Sequence, residues 1–204
     1  MEKIIRAIEK LKKADVRKLV DERIQGFKNI KSDEFFDEMC FCILTANFTA
    51  DRSIEIQKKI GKGFCCLPEK KLAQKLRQFG HRFPNARARY IAEARKSKEK
   101  LAQAMNGLKG AELRNWLVQN IKGLGYKEAS HFLRNIGYDD YAIIDFHIID
   151  LLEKHRIIER PKTLTHKKYL EIESVLKKLA EKTRLTLAEL DLYMWYMETG
   201  KVLK

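Results

Sequence analysis

Residues 121–135 read IKGLGYKEASHFLRN, in which Gly123 and Gly125 precede an amphipathic run. Apolar residues three and four apart on both sides of this bend predict two helices paired as a helix-hairpin-helix unit, over about residues 112–136. Leu124 lies between the glycines, and we expect it to turn inward and hold the two helices together. This short bend therefore decides which local fold and which chemistry to look for.

The hairpin is suited to bind a phosphate of a nucleic-acid backbone. Glycine permits a sharp turn, and its lack of a side chain lets an anion approach closely. The backbone N–H groups that open the second helix lie at the positive end of its dipole, where an anionic oxygen is stabilised. Lys122 adds positive charge beside the bend. The alternative is an ordinary turn between two helices.

Lys127 falls in the first turn of the second predicted helix. Its positive charge would lie at the positive end of the helix dipole, which is an unfavourable place for an ammonium group. The same field favours the neutral amine, the form that attacks carbon to give a Schiff base. Lys127 is therefore a candidate nucleophile, and the alternative is a surface lysine without a catalytic role.

Asp145 occurs in YAIIDFHIIDLLEK, residues 141–154, at the predicted N-cap of the next helix. Capping alone would explain an aspartate at this position. A carboxylate at the border of an apolar segment can also stabilise positive charge on a sugar or deprotonate an attacking amine. We expect His147 to pack within the same helix or to contact a DNA phosphate.

The chain as a whole is strongly basic. Its 204 residues include 42 lysines and arginines against 28 acidic residues, a formal net charge of +14. This surplus favours a polyanionic partner, and nucleic acid ranks before a membrane because no apolar segment is long enough to cross a bilayer. The first residues lack an apolar signal segment, which predicts a cytoplasmic protein. The alternative is a basic surface without a nucleic-acid partner.

Helical periodicity covers most of the chain, and only 3 prolines and 10 glycines interrupt it. No alternating run indicates a strand, so the prediction is an all-α fold. The predicted helices cover about residues 2–13, 14–28, 32–46, 50–61, 69–78, 85–105, 110–121, 126–136, 145–155, 166–182 and 187–199.

The four cysteines do not have the spacing of a metal site. Cys40 and Cys42 are separated by one residue within an apolar run, and Cys65 and Cys66 are adjacent. Zinc sites usually separate their paired cysteines by two residues or more. Buried free thiols in a reduced compartment are the favoured interpretation, with no metal bound.

The run GLGYKEASHFLRNIG, followed by IIDFH, resembles the helix-hairpin-helix superfamily of base-excision DNA glycosylases. More narrowly it resembles the second class of 8-oxoguanine DNA glycosylase, found in archaea and some bacteria. Similarity extends to LTANFTADRS, to RFPNARARYIAEA and to the compact C-terminus. The proline that the superfamily carries in the loop before the aspartate is absent here.

This resemblance implies a two-lobed, all-helical fold with the active site in the cleft between the lobes. A helical barrel lobe would cover about residues 30–137, and about residues 1–29 with 138–204 would form the second lobe. Lys127 and Asp145 would then face each other across the cleft.

The resemblance also implies the reaction. Lys127 would attack C1′ of the deoxyribose and expel the base, and the resulting Schiff base would permit β-elimination 3′ to the lesion. Asp145 would stabilise charge on the sugar and activate the amine. Gly123 and Gly125 would frame the contacts to the DNA backbone, with a monovalent cation on hairpin carbonyl oxygens and no other cofactor required.

A glycosylase must extrude its target base, and the resemblance assigns residues to this task. Asn47 would insert its amide into the duplex, although a helix cap explains it equally well from local sequence. Phe83 and Trp195 would stack on the flipped purine, whereas helical spacing alone makes Trp195 a core residue. The carboxylate of Lys204 would accept the N7 proton that distinguishes 8-oxoguanine from guanine; the alternative is a frayed tail.

Relatives that act on oxidised pyrimidines or adenine commonly carry four cysteines after the catalytic region, for an iron-sulfur cluster. No cysteine follows Cys66, so no cluster is expected. The resulting prediction is a cytoplasmic, nucleoid-associated monomer that acts on duplex DNA containing 8-oxoguanine. Two alternatives stay open: the same scaffold acting on another oxidised base, and a non-catalytic helix-hairpin-helix module that only binds DNA.

Overall fold

The computed structural model describes all residues from Met1 to Lys204 and contains helices and loops without any strand. The predicted all-helical fold is thereby confirmed. No helix is both long enough and apolar enough to cross a membrane. The elements are α1 (Glu2–Leu11), α2 (Val16–Lys28), a 3-10 turn (Ser32–Glu34), α3 (Phe35–Thr45), α4 (Ala50–Ile60), α5 (Gly63–Cys66), α6 (Glu69–Gln78), α7 (Pro84–Arg95), α8 (Lys98–Gly107), α9 (Gly110–Asn120), α10 (Tyr126–Asn135), α11 (Phe146–Lys154), α12 (His166–Thr183) and α13 (Leu187–Thr199).

The chain divides into two compact units. One unit is Ile30–Phe132, which we call the central unit. The other combines Met1–Asn29 with Leu133–Lys204, and we call it the terminal unit because it contains both chain ends. The boundary between the units at residues 132 and 133 falls inside α10 rather than in a loop.

Helix α3 forms the centre of the central unit. Its sequence FFDEMCFCILT is apolar almost all round, and the six residues from Met39 to Leu44 are fully buried. Helices α4, α5 and α7 pack around it, as expected for a helix without a polar face. Cys40 and Cys42 are therefore buried as predicted, and burial raises the pKa of the Cys40 thiol well above its ordinary value.

The other two cysteines contradict the prediction of buried thiols. Cys65 and Cys66 are exposed, because α5 is a single turn that buries only Phe64. The Lys98 ammonium donates to Cys65 Sγ at 3.3 Å. A turn this short offers one inward position, so adjacent cysteines cannot both be covered.

The predicted helix over residues 85–105 is two helices in the structure, α7 and α8. At the break the backbone tightens, since the N–H groups of Lys96 and Ser97 each donate to a carbonyl three residues earlier at 3.0 Å. The Arg95 guanidinium donates to the carbonyls of Phe64 and Leu67, at 2.5 and 2.6 Å. Buried positions stay in helical phase across the break, so periodicity alone could not detect it.

The terminal unit is built around the contact between α2 and α13. Seven buried apolar residues form this cluster: Val16, Val20, Ile24, Phe27, Ala188, Leu192 and Tyr193. Helix α1 packs against α12, and α11 packs against α13. Thr186 and Glu189 form a capping box at the start of α13, and Gly200 ends that helix in the left-handed conformation with φ of +69°.

The last turn of α10 is anchored inside the terminal unit by a buried ion pair. The Arg134 guanidinium pairs with the Asp191 carboxylate of α13, and both side chains are almost fully shielded from water. The same guanidinium lies 4.8 Å from the centroid of the Phe27 ring and donates to Asn135 Oδ1 at 3.0 Å. The C-terminal end of α10 is therefore fixed by charge, hydrogen bonding and packing together.

Candidate active site

The hairpin loop joins α9 to α10 within the central unit. Gly123 has φ of +95°, a conformation that residues with a side chain rarely adopt. A Cβ atom on Gly123 would lie 2.6 Å from Cδ2 of Tyr90, so the ring of α7 packs directly against the glycine. Leu124 is buried as predicted, and its N–H donates to the Ile121 carbonyl at 3.2 Å. Glycine is therefore required at position 123 for both conformation and space.

The two glycines differ in what their N–H groups do. The Gly125 N–H donates to Glu128 Oε2 at 3.1 Å, and the Gly125 carbonyl accepts the Ala129 N–H at 2.9 Å. The N–H groups of Lys122 and Gly123 make no hydrogen bond within the chain. The Gly123 N–H thus has no acceptor within the chain, whereas that of Gly125 is occupied by the glutamate.

Lys127 lies in the first turn of α10, where its side chain is 21% exposed. Its ammonium nitrogen is 3.8 Å from Glu128 Oε1, while the other oxygen of that carboxylate holds the Gly125 N–H. Glu128 therefore offsets the unfavourable interaction of Lys127 with the helix dipole and also caps the helix. The arrangement supplies a shielded amine with a proton acceptor next to it.

Lys122 is exposed at the edge of the hairpin and lies close to Tyr90. Its ammonium group is 3.6 Å from Glu93 Oε2 and 5.9 Å from the centroid of the Tyr90 ring. The guanidinium of Arg89 lies 5.5 Å from the same centroid. Lys122 and Arg89 are thus two exposed cations near the Tyr90 ring that packs against Gly123, and both lie within 4.0 Å of the Glu93 carboxylate.

Asn47 lies in the loop after α3 with φ of +54°, and its side chain is exposed. Ala46 is the C-cap of α3 and Thr49 is the N-cap of α4, so Asn47 caps neither helix. Asparagine tolerates the left-handed conformation better than most residues. The structure therefore removes helix capping as the explanation for this asparagine.

Phe83 is the N-cap residue of α7, and Pro84 occupies the first helical position, where a proline is well tolerated. The Phe83 ring is partly exposed, with the Arg82 guanidinium 5.0 Å from its centroid. The backbone N–H of Phe83 donates to Nδ1 of His81 at 3.0 Å. The Phe83 ring is therefore partly exposed, while its backbone is fixed by the hydrogen bond to His81.

Arg87 connects the Asn47 loop to Phe83 and to the hairpin. It is only 7% exposed and donates to the Ala46 carbonyl at 2.5 Å. Its guanidinium lies 5.7 Å from the centroid of Phe83 and 5.8 Å from that of Tyr90. Burial lowers the pKa of Arg87 from its ordinary value. The buried Arg87 guanidinium therefore lies next to the loop that carries Asn47, the Phe83 ring and the Tyr90 ring that packs against Gly123.

Asp145 lies in the terminal unit as the N-cap of α11, where Oδ1 accepts the Ile148 N–H at 3.0 Å. The segment before it is fixed by Tyr169 of α12, whose hydroxyl donates to the Ala142 carbonyl at 2.7 Å and accepts the Ile144 N–H at 3.2 Å. Asp145 is half-buried, and its second oxygen makes no hydrogen bond within the chain. Asp145 therefore caps α11 through one carboxylate oxygen, and its other oxygen has no hydrogen-bond partner within the chain.

Phe146, His147 and Trp195 form a cluster of three rings in the terminal unit, which also contains Asp145. The His147 ring meets Trp195 edge to face at 4.8 Å between centroids, and Phe146 lies 4.0 Å from His147. Phe146 is 62% exposed, which is unusual for such a large apolar side chain. Trp195 is half-buried, and its indole N–H is shielded from water without a hydrogen-bond partner. This cluster combines exposed apolar surface with an unused donor.

The chain continues past Gly200 along the terminal unit. The Thr199 hydroxyl donates to the Trp195 carbonyl at 2.8 Å and accepts the Lys201 N–H at 3.3 Å. Val202 packs against the cluster formed by α2 and α13, and Lys204 is half-buried. The segment after α13 is therefore held against the unit that contains Trp195.

Three residues of these sites were missed in the sequence. Glu128 could have been found, because a glutamate three positions after an N-cap is a capping signal. Phe146 lies opposite the apolar face of α11 on a helical projection, which marks it as exposed. Arg87 gave no signal, since a charged residue among the arginines of α7 is expected on the surface.

Comparison with known families gives one consistent result. The model of the 8-oxoguanine DNA glycosylase family matches residues 20–185. The chain is 54% identical to the 8-oxoguanine DNA glycosylase/AP lyase of Methanocaldococcus jannaschii over 207 residues, which cover 98% of this chain and 99% of the relative.

Solved structures agree with this comparison. The crystal structure of the Methanocaldococcus jannaschii 8-oxoguanine glycosylase/lyase in complex with 15mer DNA containing 8-oxoguanine matches with a TM-score of 0.95 and 52% identity, covering 98% of this chain and 99% of that one. The 8-oxoguanine DNA glycosylase of Thermotoga maritima matches with a TM-score of 0.93 and 43% identity, covering 100% of this chain and 99% of that one.

Proposed function

We propose, from the premise that the chain belongs to the 8-oxoguanine DNA glycosylase family, that Lys127 is the nucleophile of a bifunctional glycosylase and AP lyase. The enzyme removes 8-oxoguanine from DNA in base-excision repair and then cleaves the strand at the abasic site. The observation that carries the assignment of Lys127 is its position: a shielded amine in the first turn after the hairpin, with the Glu128 carboxylate 3.8 Å away.

The proposed chemistry begins with transfer of a proton from the Lys127 ammonium to a carboxylate, for which Glu128 is in place. The neutral amine then attacks C1′, and the bond to the base breaks with its electron pair leaving on the base. The departing base takes up one of the two protons that nitrogen still carries, and the C1′–O4′ bond then breaks with a proton added to O4′, which leaves the protonated Schiff base. Removal of a proton from C2′ expels the 3′ phosphate and cleaves the strand.

Asp145 has the second chemical role in the proposal. One of its oxygens caps α11, and we assign the other to stabilising positive charge that develops on the sugar as the base departs. Because Tyr169 fixes the segment before it, the carboxylate is held before substrate binds. The capping bond therefore orients the residue for catalysis rather than competing with it.

We assign the hairpin to the DNA backbone. The Gly123 N–H, which has no acceptor within the chain, suits a phosphate together with Lys122 and with Arg89 near the Tyr90 ring, and Gly125 contributes the bend. A monovalent cation on hairpin carbonyl oxygens completes this part of the proposal. Replacing potassium by a large organic cation at constant ionic strength should then weaken binding to DNA, and unchanged binding would remove the cation from the scheme.

The remaining residues are assigned to the extruded base and the duplex. Asn47 inserts where the base has left, which fits its exposed position on a loop held by Arg87. Phe83 stacks on the flipped purine. Trp195 offers a buried N–H without a partner, so an acceptor on the base would satisfy it. His147 contacts a phosphate, and Lys204 contributes to the recognition of N7.

We further propose that the enzyme acts as a monomer on double-stranded DNA and is associated with the nucleoid. Its net charge of +14 supports long residence on DNA. Light scattering of the purified protein should give the mass of one chain, and a dimer would contradict this part of the proposal.

The decisive experiment is borohydride trapping on a duplex with a single 8-oxoguanine. We expect a covalent adduct with the wild-type protein, none with Lys127→Gln and none on the undamaged duplex. Lys122→Gln is the matched control, because it removes an exposed lysine of the same hairpin and should weaken binding without abolishing the adduct. An adduct that survives Lys127→Gln would overturn the assignment of the nucleophile.

A further inference from the structure

His81 is a buried imidazole that neither the reaction nor the DNA contacts described above use. It follows α6 in a turn where Gly80 has φ of +75° and the His81 N–H donates to the Leu76 carbonyl at 2.8 Å. This pattern is the Schellman ending of a helix, and it fixes the backbone of His81. The side chain is only 4% exposed and points into the central unit.

Both ring nitrogens of His81 have partners. Nδ1 accepts the backbone N–H of Phe83 at 3.0 Å, so Nδ1 carries no proton. Nε2 lies 3.0 Å from the Leu44 carbonyl, which can only accept, so Nε2 carries the proton. These contacts together define a neutral imidazole in a single tautomer.

The charged groups facing the ring oppose its protonation. Arg87 of α7 and Arg52 of α4 are the charged side chains near it, and both are cations. A proton on Nδ1 would also direct its N–H at the N–H of Phe83. Burial is the largest cause that lowers the pKa of His81 from its ordinary value; the bond to the Leu44 carbonyl opposes this, and the two arginines lower the pKa further.

The partners of His81 lie on either side of the residues assigned to the extruded base. The Leu44 carbonyl belongs to the last turn of α3, and the Phe48 ring, immediately after Asn47, lies 4.2 Å from the imidazole. Phe83 is held directly through its backbone N–H. One side chain therefore sets the position of both the Asn47 loop and the Phe83 ring.

We propose that neutral His81 is a positioning residue for lesion recognition, which holds Asn47 and Phe83 in the arrangement that distinguishes 8-oxoguanine from undamaged DNA. The inference rests on the proposed function of those two residues. Acidification protonates the imidazole, breaks its bond to Phe83 and loosens both contacts. Discrimination between damaged and undamaged duplex therefore decreases at low pH, separately from any effect on the chemical step.

The test measures binding in a Lys127→Gln background, which removes the chemical step. Affinities for an 8-oxoguanine duplex and an undamaged duplex are compared from about pH 8 to about pH 5.5, and their ratio is the readout because phosphate contacts affect both duplexes alike. Because the pKa of His81 is lowered from 6.5, we expect the ratio to begin to fall below that pH and to approach a loss of about fivefold, that of one hydrogen bond, as the imidazole becomes fully protonated.

Two substitutions at His81 separate its two bonds. Asparagine places an acceptor near Nδ1, and glutamine places a donor near Nε2, and neither titrates in this range. In the double variant Lys127→Gln/His81→Asn, the ratio of the affinities for damaged and undamaged duplex should be independent of pH. His166→Asn, which removes an exposed imidazole of α12, should retain the parent profile. A His81→Asn profile that follows the parent would overturn the proposal.

Two further results bear on the role of His81. No discrimination at pH 8 in the parent would contradict the proposed function itself, and with it the role of His81. If both His81 variants fail to unfold cooperatively at pH 8, nitrogen NMR of the parent decides the question. The spectrum should report a neutral His81 imidazole protonated at Nε2 at pH 7, and an imidazolium or the other tautomer would overturn the inference.

Discussion

At the scale of single residues, Glu128 combines two tasks that substitution can separate. Glu128→Gln keeps an oxygen for the Gly125 N–H but loses the charge beside Lys127. We expect base release under single-turnover conditions to slow by about 100- to 10,000-fold, the usual contribution of a proton acceptor. Thermal stability should change little, because the capping bond survives.

Glu128→Ala is the companion variant, since it removes both tasks. It should be as slow as the glutamine variant and also lose about 1 kcal/mol of stability, the usual value of a helix cap. Wild-type rates in Glu128→Gln would reduce Glu128 to a cap, and Asp145 would then be the proton acceptor for Lys127.

Phe146 leads to a second prediction at this scale. Its ring is 62% exposed next to Asp145, so Phe146→Ala should leave the free energy of unfolding within about 0.5 kcal/mol of wild type. If the ring stacks on DNA, the free energy of binding to the damaged duplex should become less favourable by about 1 to 3 kcal/mol in Phe146→Ala. Leu19→Ala is the control, because Leu19 is an exposed apolar residue of α2. Equal affinities in both variants would leave Phe146 without a role in binding.

Local signals explain which site residues were predictable. The places of Lys127 in the first turn of α10 and of Asp145 at the N-cap of α11 were predictable because helix starts and caps are set within one turn of the chain, whereas their catalytic roles were predicted only from the family resemblance. His81 and Arg87 were not, because their importance comes from partners about 40 positions away, at Leu44 and Ala46. No local pattern distinguishes a buried cation that fixes a loop from a surface arginine.

At the scale of elements, the hairpin depends on Gly123 far more than on Gly125. Gly123→Ala should lose about 1 to 3 kcal/mol of stability, because alanine is strained at φ of +95° and its Cβ would lie 2.6 Å from Tyr90. Gly125→Ala should be milder, since its Cβ would approach only a flexible oxygen of Glu128, at 3.1 Å. Urea unfolding and DNA binding would compare the two variants. Equal losses would contradict this assignment of strain.

The anchoring of α10 gives a second prediction for an element. Asp191→Asn leaves the buried guanidinium of Arg134 without its anion, which should cost about 3 to 5 kcal/mol. Asp150→Asn, in an exposed pair with Arg160, should cost about 1 kcal/mol or less. Chemical denaturation measures both, and similar losses would show that shielding of the α10 pair has little effect.

Most helices were predictable because proline, glycine and capping residues mark their ends. The start of α7 at Pro84 and the end of α13 at Gly200 are examples. The break between α7 and α8 was not predictable, because it depends on bonds from Arg95 to carbonyls of a distant segment. Boundaries set by tertiary contacts leave no trace in periodicity.

At the scale of the whole molecule, stability should decrease on acidification below about pH 6.5. Burial is the main cause that lowers the pKa of both His81 and His155 from the ordinary value of 6.5. The unfolded chain therefore binds more protons than the folded chain at mildly acidic pH, and acid favours unfolding. This contribution is fully present above pH 6.5 and is lost as pH falls through the lower, folded values.

Calorimetry from about pH 7.5 to about pH 5 measures this decrease. The melting temperature should fall less in a His81→Asn/His155→Asn variant than in wild type. An identical slope in both proteins would assign the acid sensitivity to other groups.

The terminal unit is assembled from the two ends of the chain, and this has a consequence for synthesis on the ribosome. The Lys12 ammonium donates to the Thr183 carbonyl at 2.7 Å, a contact between residues 171 positions apart. The central unit emerges complete before Leu133, whereas α1 and α2 have to wait for α12 and α13. The apolar face of α2 therefore stays uncovered for most of translation, when chaperones and proteases have access to it.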